Sequence, residues 1–193
     1  LFNYTRRASS VAHIGAIDLG GDNPIRIQSM TTTNTNDTEA CVRQAEEIIK
    51  AGGELVRFTT QGSREAENMK NINAGIRADG YQTPLVADVH FNPNVADVAA
   101  LYCEKVRVNP GNYVDPARKF IKQEYTDEEY AHELQKIEDR FVPFLNICKE
   151  HHTAIRIGVN HGSLSDRIRN RYGDTPEGIV ESCLEFLRIC KKE

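Results

Sequence analysis

Two kinds of hydrophobic pattern alternate along this chain. Short runs rich in Val, Ile and Phe carry polar residues at every second position, and longer runs between them carry apolar residues three and four apart. The first pattern reads as strand and the second as amphipathic helix, because strand side chains alternate faces and helix side chains return to one face about every 3.6 residues. Strands are expected at 25–30, Leu55–Thr60, 84–91, 105–109 and 154–160. Asp37 or Thr38 caps a helix that carries Cys41, Ala45, Ile48 and Ile49, runs to Ala51 and stops at Gly52-Gly53. Ser63 caps a second helix, with Ala66, Met69, Ile72 and Ile76 on one face, ending near Gly80. Asn92-Pro93 is a cap followed by a first-turn proline and opens a third helix with Val95, Val98 and Leu101. Thr126-x-x-Glu129 is a capping box ahead of Tyr130, Leu134, Ile137 and Phe141, and Pro143 is expected to break or kink that helix. Ser163-x-x-Asp166 reads as a further cap, and Thr175-Pro176 opens a last helix with Ile179, Cys183, Leu187 and Cys190 in line. The stretch 11–23, with Gly15 and Gly20-Gly21, reads as a small hairpin or plug.

Strands separated by helices imply βαβ units and a parallel sheet. A doubly wound sheet is covered on both faces, so its strands read as continuous apolar runs. These strands alternate instead. Val56, Phe58, Ala87, Val89, Val106, Val108, Ile155, Ile157 and Val159 fall on one face, and Arg57, Thr59, Asp88, His90, Arg107, Asn109, Arg156 and Asn160 fall on the other. One apolar and one polar face is the signature of an α/β (β/α)8 TIM barrel, whose lumen opens on a site at the C-terminal ends of the strands. Five β/α units are legible where a full barrel has eight, so residues 25–193 are expected to form part of a barrel, preceded by a hairpin or plug over residues 1–24.

Composition adds exclusions. With 193 residues, 39% hydrophobic and 27% charged, the chain suits one soluble globular domain. It has no apolar run long enough to span a membrane, and its first ten residues lack the apolar stretch of a secretory leader. It begins with Leu, as a piece of a longer protein would. A net charge of −4 argues against non-specific nucleic-acid binding but leaves room for a local basic pocket. The cysteines Cys41, Cys103, Cys148, Cys183 and Cys190 are odd in number and form no C-x-x-C pair. Most are expected to be buried thiols in a reducing compartment, with Cys103, Cys183 and Cys190 in helical patterns, and no metal site is expected from these five alone.

Charge then says what the polar face holds. Arg57, Arg107 and Arg156 share it with Asp88 as the one carboxylate. A desolvated guanidinium without a partner costs several kcal/mol, so the surplus calls for an anion, and arginine forks match phosphate oxygens. A small phosphorylated ligand, plausibly a diphosphate, is the natural partner. Arg26, near the start of the first strand, reads instead as an ion pair or a floor residue. His90 has two open readings, a satisfied core histidine or a ligand contact and proton donor. Asn109, in Asn109-Pro110-Gly111-Asn112, is placed to point its amide at a substrate, although that string is also an ordinary turn. Asn160-His161-Gly162-Ser163 offers backbone N–H groups to an anion, or is simply turn and cap.

Four strings in order carry a resemblance: Gln28-Ser29-Met30-Thr31, Leu85-Val86-Ala87-Asp88-Val89-His90-Phe91, Lys105-Val106-Arg107-Val108-Asn109-Pro110-Gly111-Asn112 and Ile155-Arg156-Ile157-Gly158-Val159-Asn160-His161-Gly162-Ser163-Leu164. From about Val11 onward the chain resembles the N-terminal barrel of the 4-hydroxy-3-methylbut-2-en-1-yl diphosphate synthase family of isoprenoid biosynthesis, and 113–151 resembles the insertion of its larger bacterial and plastid form. The resemblance implies a barrel that binds 2-C-methyl-D-erythritol 2,4-cyclodiphosphate. It also implies a separate C-terminal domain with a [4Fe–4S] cluster held by three Cys and one Glu, and two electrons from ferredoxin or flavodoxin that open the ring to 4-hydroxy-3-methylbut-2-enyl diphosphate. In family dimers the cluster domain of one chain closes over the partner's barrel. Arg57, Arg107 and Arg156 match the family's diphosphate-binding arginines, and Asp88, His90, Asn109 and Asn160 match polar positions around the substrate. The last three strands, a substrate-binding lysine expected on them and the cluster domain have no counterpart in these residues. The segment alone is therefore expected to be inactive, and its parent is expected to be a soluble homodimer of the bacterial cytoplasm or a plastid. A pterin-binding barrel of the dihydropteroate synthase kind and a non-catalytic phosphate-ligand-binding domain are the rival readings.

Overall fold

The computed structural model describes residues 5, 7–115 and 124–193. The expectations placed on residues 1–4, 6 and 116–123, within the leader reading and the 113–151 insertion, lie outside the described residues. The chain opens with a hairpin of β1 (Ala12–Ile14) and β2 (Ile17–Leu19). Then come β3 (Gln28–Met30), α1 (Thr38–Lys50), β4 (Leu55–Thr60), α2 (Ser63–Ala78), β5 (Leu85–Val89), α3 (Pro93–Ala100), β6 (Lys105–Val108), α4 (Asp127–His151), β7 (Ala154–Ile157), α5 (Asp166–Tyr172) and α6 (Pro176–Lys192). The strands β3 to β7 pair in parallel, each with its neighbour in sequence order, in one five-stranded sheet.

Register makes the two faces explicit. Phe58, Ala87, Val106 and Ile155 lie side by side across four strands. The first three are fully buried in a core with Met69, Ile72, Val95, Ala99, Phe141 and Phe144 from the helices. The rows on either side of it face the other way. One contains Arg57, Val86, Lys105 and Ala154, and the next contains Thr59, Asp88, Arg107 and Arg156.

The sheet curls. Lys105 Nζ donates to Gln28 Oε1 at 3.4 Å, although β6 and β3 are separated by two strands. In a flat sheet these strands would stand about 14 Å apart. The polar face is therefore the concave face of a partial barrel, as the alternation predicts. The hairpin sits at its N-terminal end, where Ile14, Leu55 and Val86 are buried together against Ile17 and Ala154.

Several local expectations need correction. The first strand is Gln28–Met30 rather than 25–30, because residues 25–27 lie at an edge where Ile25 and Ile27 remain exposed. The strands at 84–91, 105–109 and 154–160 end early because Asn92, Asn109 and Asn160 each turn back to cap the helical turn that follows. Gly62, not Ser63, caps α2, with Glu65 accepting the Gly62 N–H at 2.9 Å. Ser165, not Ser163, caps α5, accepting from the Ile168 N–H at 3.3 Å. Pro143 does not break α4, which continues to His151. A proline inside a helix costs about 3 kcal/mol. Burying Phe141 and Phe144 on either side of it returns roughly 1.5–3 kcal/mol each.

The face of α6 is rotated from the expected one. Ser182, Glu185, Phe186 and Ile189 are buried, whereas Leu187 and Cys190 are exposed. Phe186 meets Tyr113 and Phe141 edge-on at 5.6 and 4.9 Å, and Glu185 pairs with Arg167. Cys41, Cys103 and Cys148 are buried thiols, but Cys103 sits in the turn after α3 rather than on a helix, and Cys183 is half-buried.

Candidate functional site

The concave face gathers the residues singled out by strand parity. Asp88, fully buried on β5, is the hub. Its Oδ1 accepts from Arg107 Nη1 at 3.0 Å, its Oδ2 accepts from Arg57 Nη2, and His90 Nε2 lies 3.2 Å from the same Oδ2. Arg107 Nη2 also donates to the Gly158 carbonyl at 2.6 Å. Strands β4, β5 and β7 thus each deliver one charged side chain to this face and β6 delivers two, Lys105 and Arg107, because the parallel register sets their polar positions in adjacent rows.

The charges do not balance. Arg57, Arg107, Arg156 and Lys105 share the face with one carboxylate. The Nε atoms of Arg57 and Arg107 are buried without a hydrogen-bond partner. Arg156, exposed near the open edge, makes no hydrogen bond or ion pair among the described residues. Partial desolvation and repulsion from Arg107 and Arg57 hold its guanidinium below the usual arginine range. A cation surplus with unfilled donors is a cradle for an anion, since an unmet buried donor costs roughly 1–3 kcal/mol.

The remaining candidates sit at the C-terminal strand ends. His90 is 32% exposed there, beyond the end of β5. Asn109 and Asn160 serve the backbone first. Asn109 Oδ1 accepts the Gly111 N–H at 3.3 Å and its Nδ2 donates to Ser163 Oγ at 2.8 Å, so its amide joins the loops after β6 and β7 instead of standing free. Asn160 Oδ1 accepts the Gly162 N–H at 2.9 Å, which fixes that amide as a turn cap on an exposed residue. The anion cradle expected at 160–163 is largely spent internally, because Ser163 N–H donates to the Asn160 carbonyl and Leu164 N–H to that of His161. His161 pairs with Asp174 on the surface. Arg26 behaves as a structural ion pair, 2.8 Å from Glu54.

Sequence reasoning passed over two residues of this face. A Cβ on Gly158 would lie 2.1 Å from Arg107 Nε, so this glycine makes room for the guanidinium. Its signal was a missing side chain two positions after Arg156, on the same strand face. Lys105 lies two positions before Arg107, the same parity that found the arginines, and is 7% exposed. Similarly, Gly111 admits the Ser163 carbonyl, which a Cβ would meet at 1.7 Å.

Comparison with known proteins agrees with this architecture. Residues 9–193 match the family model of the GcpE TIM-barrel domain. A 4-hydroxy-3-methylbut-2-en-1-yl diphosphate synthase (flavodoxin) of Phocaeicola vulgatus is 76% identical over 193 residues, which is all of this chain and 31% of the relative. The protein of the same name from Bacteroides thetaiotaomicron is 76% identical over all of this chain and 32% of its own length. That of Akkermansia muciniphila is 52% identical over 98% of this chain and 32% of its own length. The chain thus spans about a third of the length of these relatives. With nearly its whole length matched and its strands curled around a shared polar face, the chain belongs to the GcpE TIM-barrel family.

Proposed function

We propose that this chain forms the substrate-gripping part of a 4-hydroxy-3-methylbut-2-en-1-yl diphosphate synthase. Its substrate would be 2-C-methyl-D-erythritol 2,4-cyclodiphosphate, opened reductively to 4-hydroxy-3-methylbut-2-enyl diphosphate. The observation that carries the reading is the concave face on which three arginines and a lysine meet one carboxylate, with two guanidinium Nε atoms unfilled. Arg57, Arg107 and Arg156 hold the diphosphate oxygens. Asp88 splays Arg57 and Arg107 so that their free edges face the ligand, and orients His90. His90, at the mouth, is the residue placed to hand a proton to the opened ring. Asn109 and Asn160 shape the rim on which the substrate's polar groups rest. Residues 25–193 are the barrel segment in this reading, and the hairpin plugs its floor.

The reaction needs two electrons, which the family's iron–sulfur cluster supplies. The cysteines here do not fit that role. Cys41, Cys103 and Cys148 are buried in the helical layer with thiols pushed up by burial, and no group of three His, Cys, Asp or Glu side chains among the described residues is arranged to hold a metal. The cluster is therefore assigned to a part of the protein outside these residues. The names of the relatives support flavodoxin, over ferredoxin, as electron donor. The family match supports this reading over a pterin-binding barrel or a non-catalytic phosphate-binding domain. In this reading the whole protein is a homodimer of the bacterial cytoplasm, its named relatives being bacterial rather than plastid. No helix of the described residues is long and apolar enough to cross a membrane.

Calorimetric titration of the full-length protein with the cyclodiphosphate tests the reading. Binding is expected, and Arg107→Ala and Arg156→Ala are each expected to weaken it by about 30-fold or more, the cost of truncating one partner of a buried charge pair. Absence of binding, or unchanged affinity in both variants, overturns it.

A further inference from the structure

Lys105 is a buried ammonium without a carboxylate. Among the described residues its only hydrogen bond is the 3.4 Å contact to Gln28 Oε1, which leaves two of its three N–H donors without a protein partner there. It shares a register row with Arg57, and on its own strand it precedes Arg107 by one same-face position. The charged and titratable groups on its face are Arg57 from β4, Asp88 from β5 with His90 just beyond it, Arg107 from β6 and Arg156 from β7. From β3 comes only the uncharged Gln28, and beneath lie the apolar Ile14 and Ile17 of the hairpin. Asp88, the one carboxylate, is already engaged by Arg57, Arg107 and His90.

We propose that Lys105 is a fourth cationic element of the diphosphate site, set at the cavity floor, and that ligand binding and protonation of Lys105 are linked. The inference rests on the diphosphate reading above. An ammonium buried among guanidinium groups is disfavoured until negative charge arrives, and a bound diphosphate supplies that charge. Burial, with repulsion from Arg156 and Arg57, accordingly lowers the Lys105 pKa in the free protein. The bound anion raises it. The protein therefore takes up protons on binding at alkaline pH, and affinity falls as pH rises through the Lys105 titration of the free protein.

The test is calorimetric titration of the full-length protein with inorganic pyrophosphate and with the cyclodiphosphate. Titrations in buffers of different ionisation heat, at several alkaline pH values, count the protons exchanged. Lys105→Arg keeps the charge but does not titrate, so it is expected to bind at near wild-type affinity with less proton uptake than wild type. The ligand's own protons cancel in that difference. Lys105→Met is expected to bind about 10- to 100-fold more weakly, the range for losing a charged hydrogen bond. Equal proton uptake in wild type and Lys105→Arg overturns the inference, even if Lys105→Met fails to fold. Unchanged affinity in a folded Lys105→Met also overturns it. If Arg107→Ala abolishes binding while both Lys105 variants behave as wild type, only this inference fails. If wild type binds neither ligand, the site reading fails with it.

Discussion

Two arginine clusters in this protein are built on opposite principles. Arg167, on α5, is buried with all three of its nitrogens engaged. Its guanidinium makes two bonds to Asp115, at 3.2 and 3.0 Å, and two to Glu185, at 2.7 and 2.8 Å. Tyr130 stacks 4.7 Å from it and donates its own hydroxyl to Glu185 at 2.7 Å. Burial opposes the charge, yet these bonds push the Arg167 pKa above the ordinary range. The concave face reverses every feature. There the cations outnumber the carboxylates, two Nε atoms go unfilled, and Arg156 and Lys105 titrate below their usual ranges. An arginine whose three nitrogens are all engaged by carboxylates joins α4, α5, α6 and the loop after β6, and its charge is already answered. An arginine left short of acceptors is held ready for one.

Mutations should separate the two clusters. Arg167→Met leaves two buried carboxylates facing each other, and the expected loss is about 3–5 kcal/mol of stability in denaturant unfolding. Arg107→Ala removes charge from a face that already has too much. Its loss of stability is expected to be smaller than that of Arg167→Met, because Asp88 keeps Arg57 beside it, while pyrophosphate affinity falls by about 30-fold or more. A large stability loss in Arg107→Ala would erase the distinction. Gly158→Ala is expected to act between these extremes. Its Cβ must push Arg107 aside, costing about 1–3 kcal/mol in stability, binding or both, and the division between them can be read from paired melts and titrations.

The smallest effect concerns alkaline pH, where the clusters should respond with opposite signs. The folded Lys105 pKa lies below its unfolded value of about 10.4, so the unfolded chain holds more protons between the two, and stability rises with pH across that window. Burial and the Glu185 carboxylate raise the Tyr130 pKa above its unfolded value of about 10. The unfolded chain then loses its proton first, and stability falls as pH climbs above about 10. Relative to wild type, Lys105→Met should lack the first trend and Tyr130→Phe should soften the second, in unfolding series run from pH 8 to 11. Parallel curves for all three proteins would remove the electrostatic contrast.

The two clusters also differed in how readable they were. Arg57, Asp88, Arg107 and Arg156 lie in strands, where period-two alternation names the shared face without coordinates. Lys105 and Gly158 obey the same parity and were readable too, one as a cation and the other as a gap. The Arg167 network was not readable. Asp115, Arg167 and Glu185 are far apart in the chain, on a loop and two helices, and no local period links them. The same network explains why the buried face of α6 was misread. A charged Glu185 turned inward brings Phe186 and Ile189 with it, so the apolar line expected to be buried leaves Cys183 half-buried and Leu187 exposed.

Alternation along each strand was therefore enough to specify an α/β partial barrel, its polar face and the arginines on it, because side-chain direction in a strand is a local property. Capping signals located most helix starts for the same reason. Tertiary structure decided which acceptors each charge found. It set Lys105 against Gln28 across the curl of the sheet, spent the Asn109 and Asn160 amides on turns, and matched Arg167 with two carboxylates while leaving Arg156 without one. Pairing of charges depends on distances between segments remote in sequence, and those distances exist only once the sheet has curled and the helices have packed.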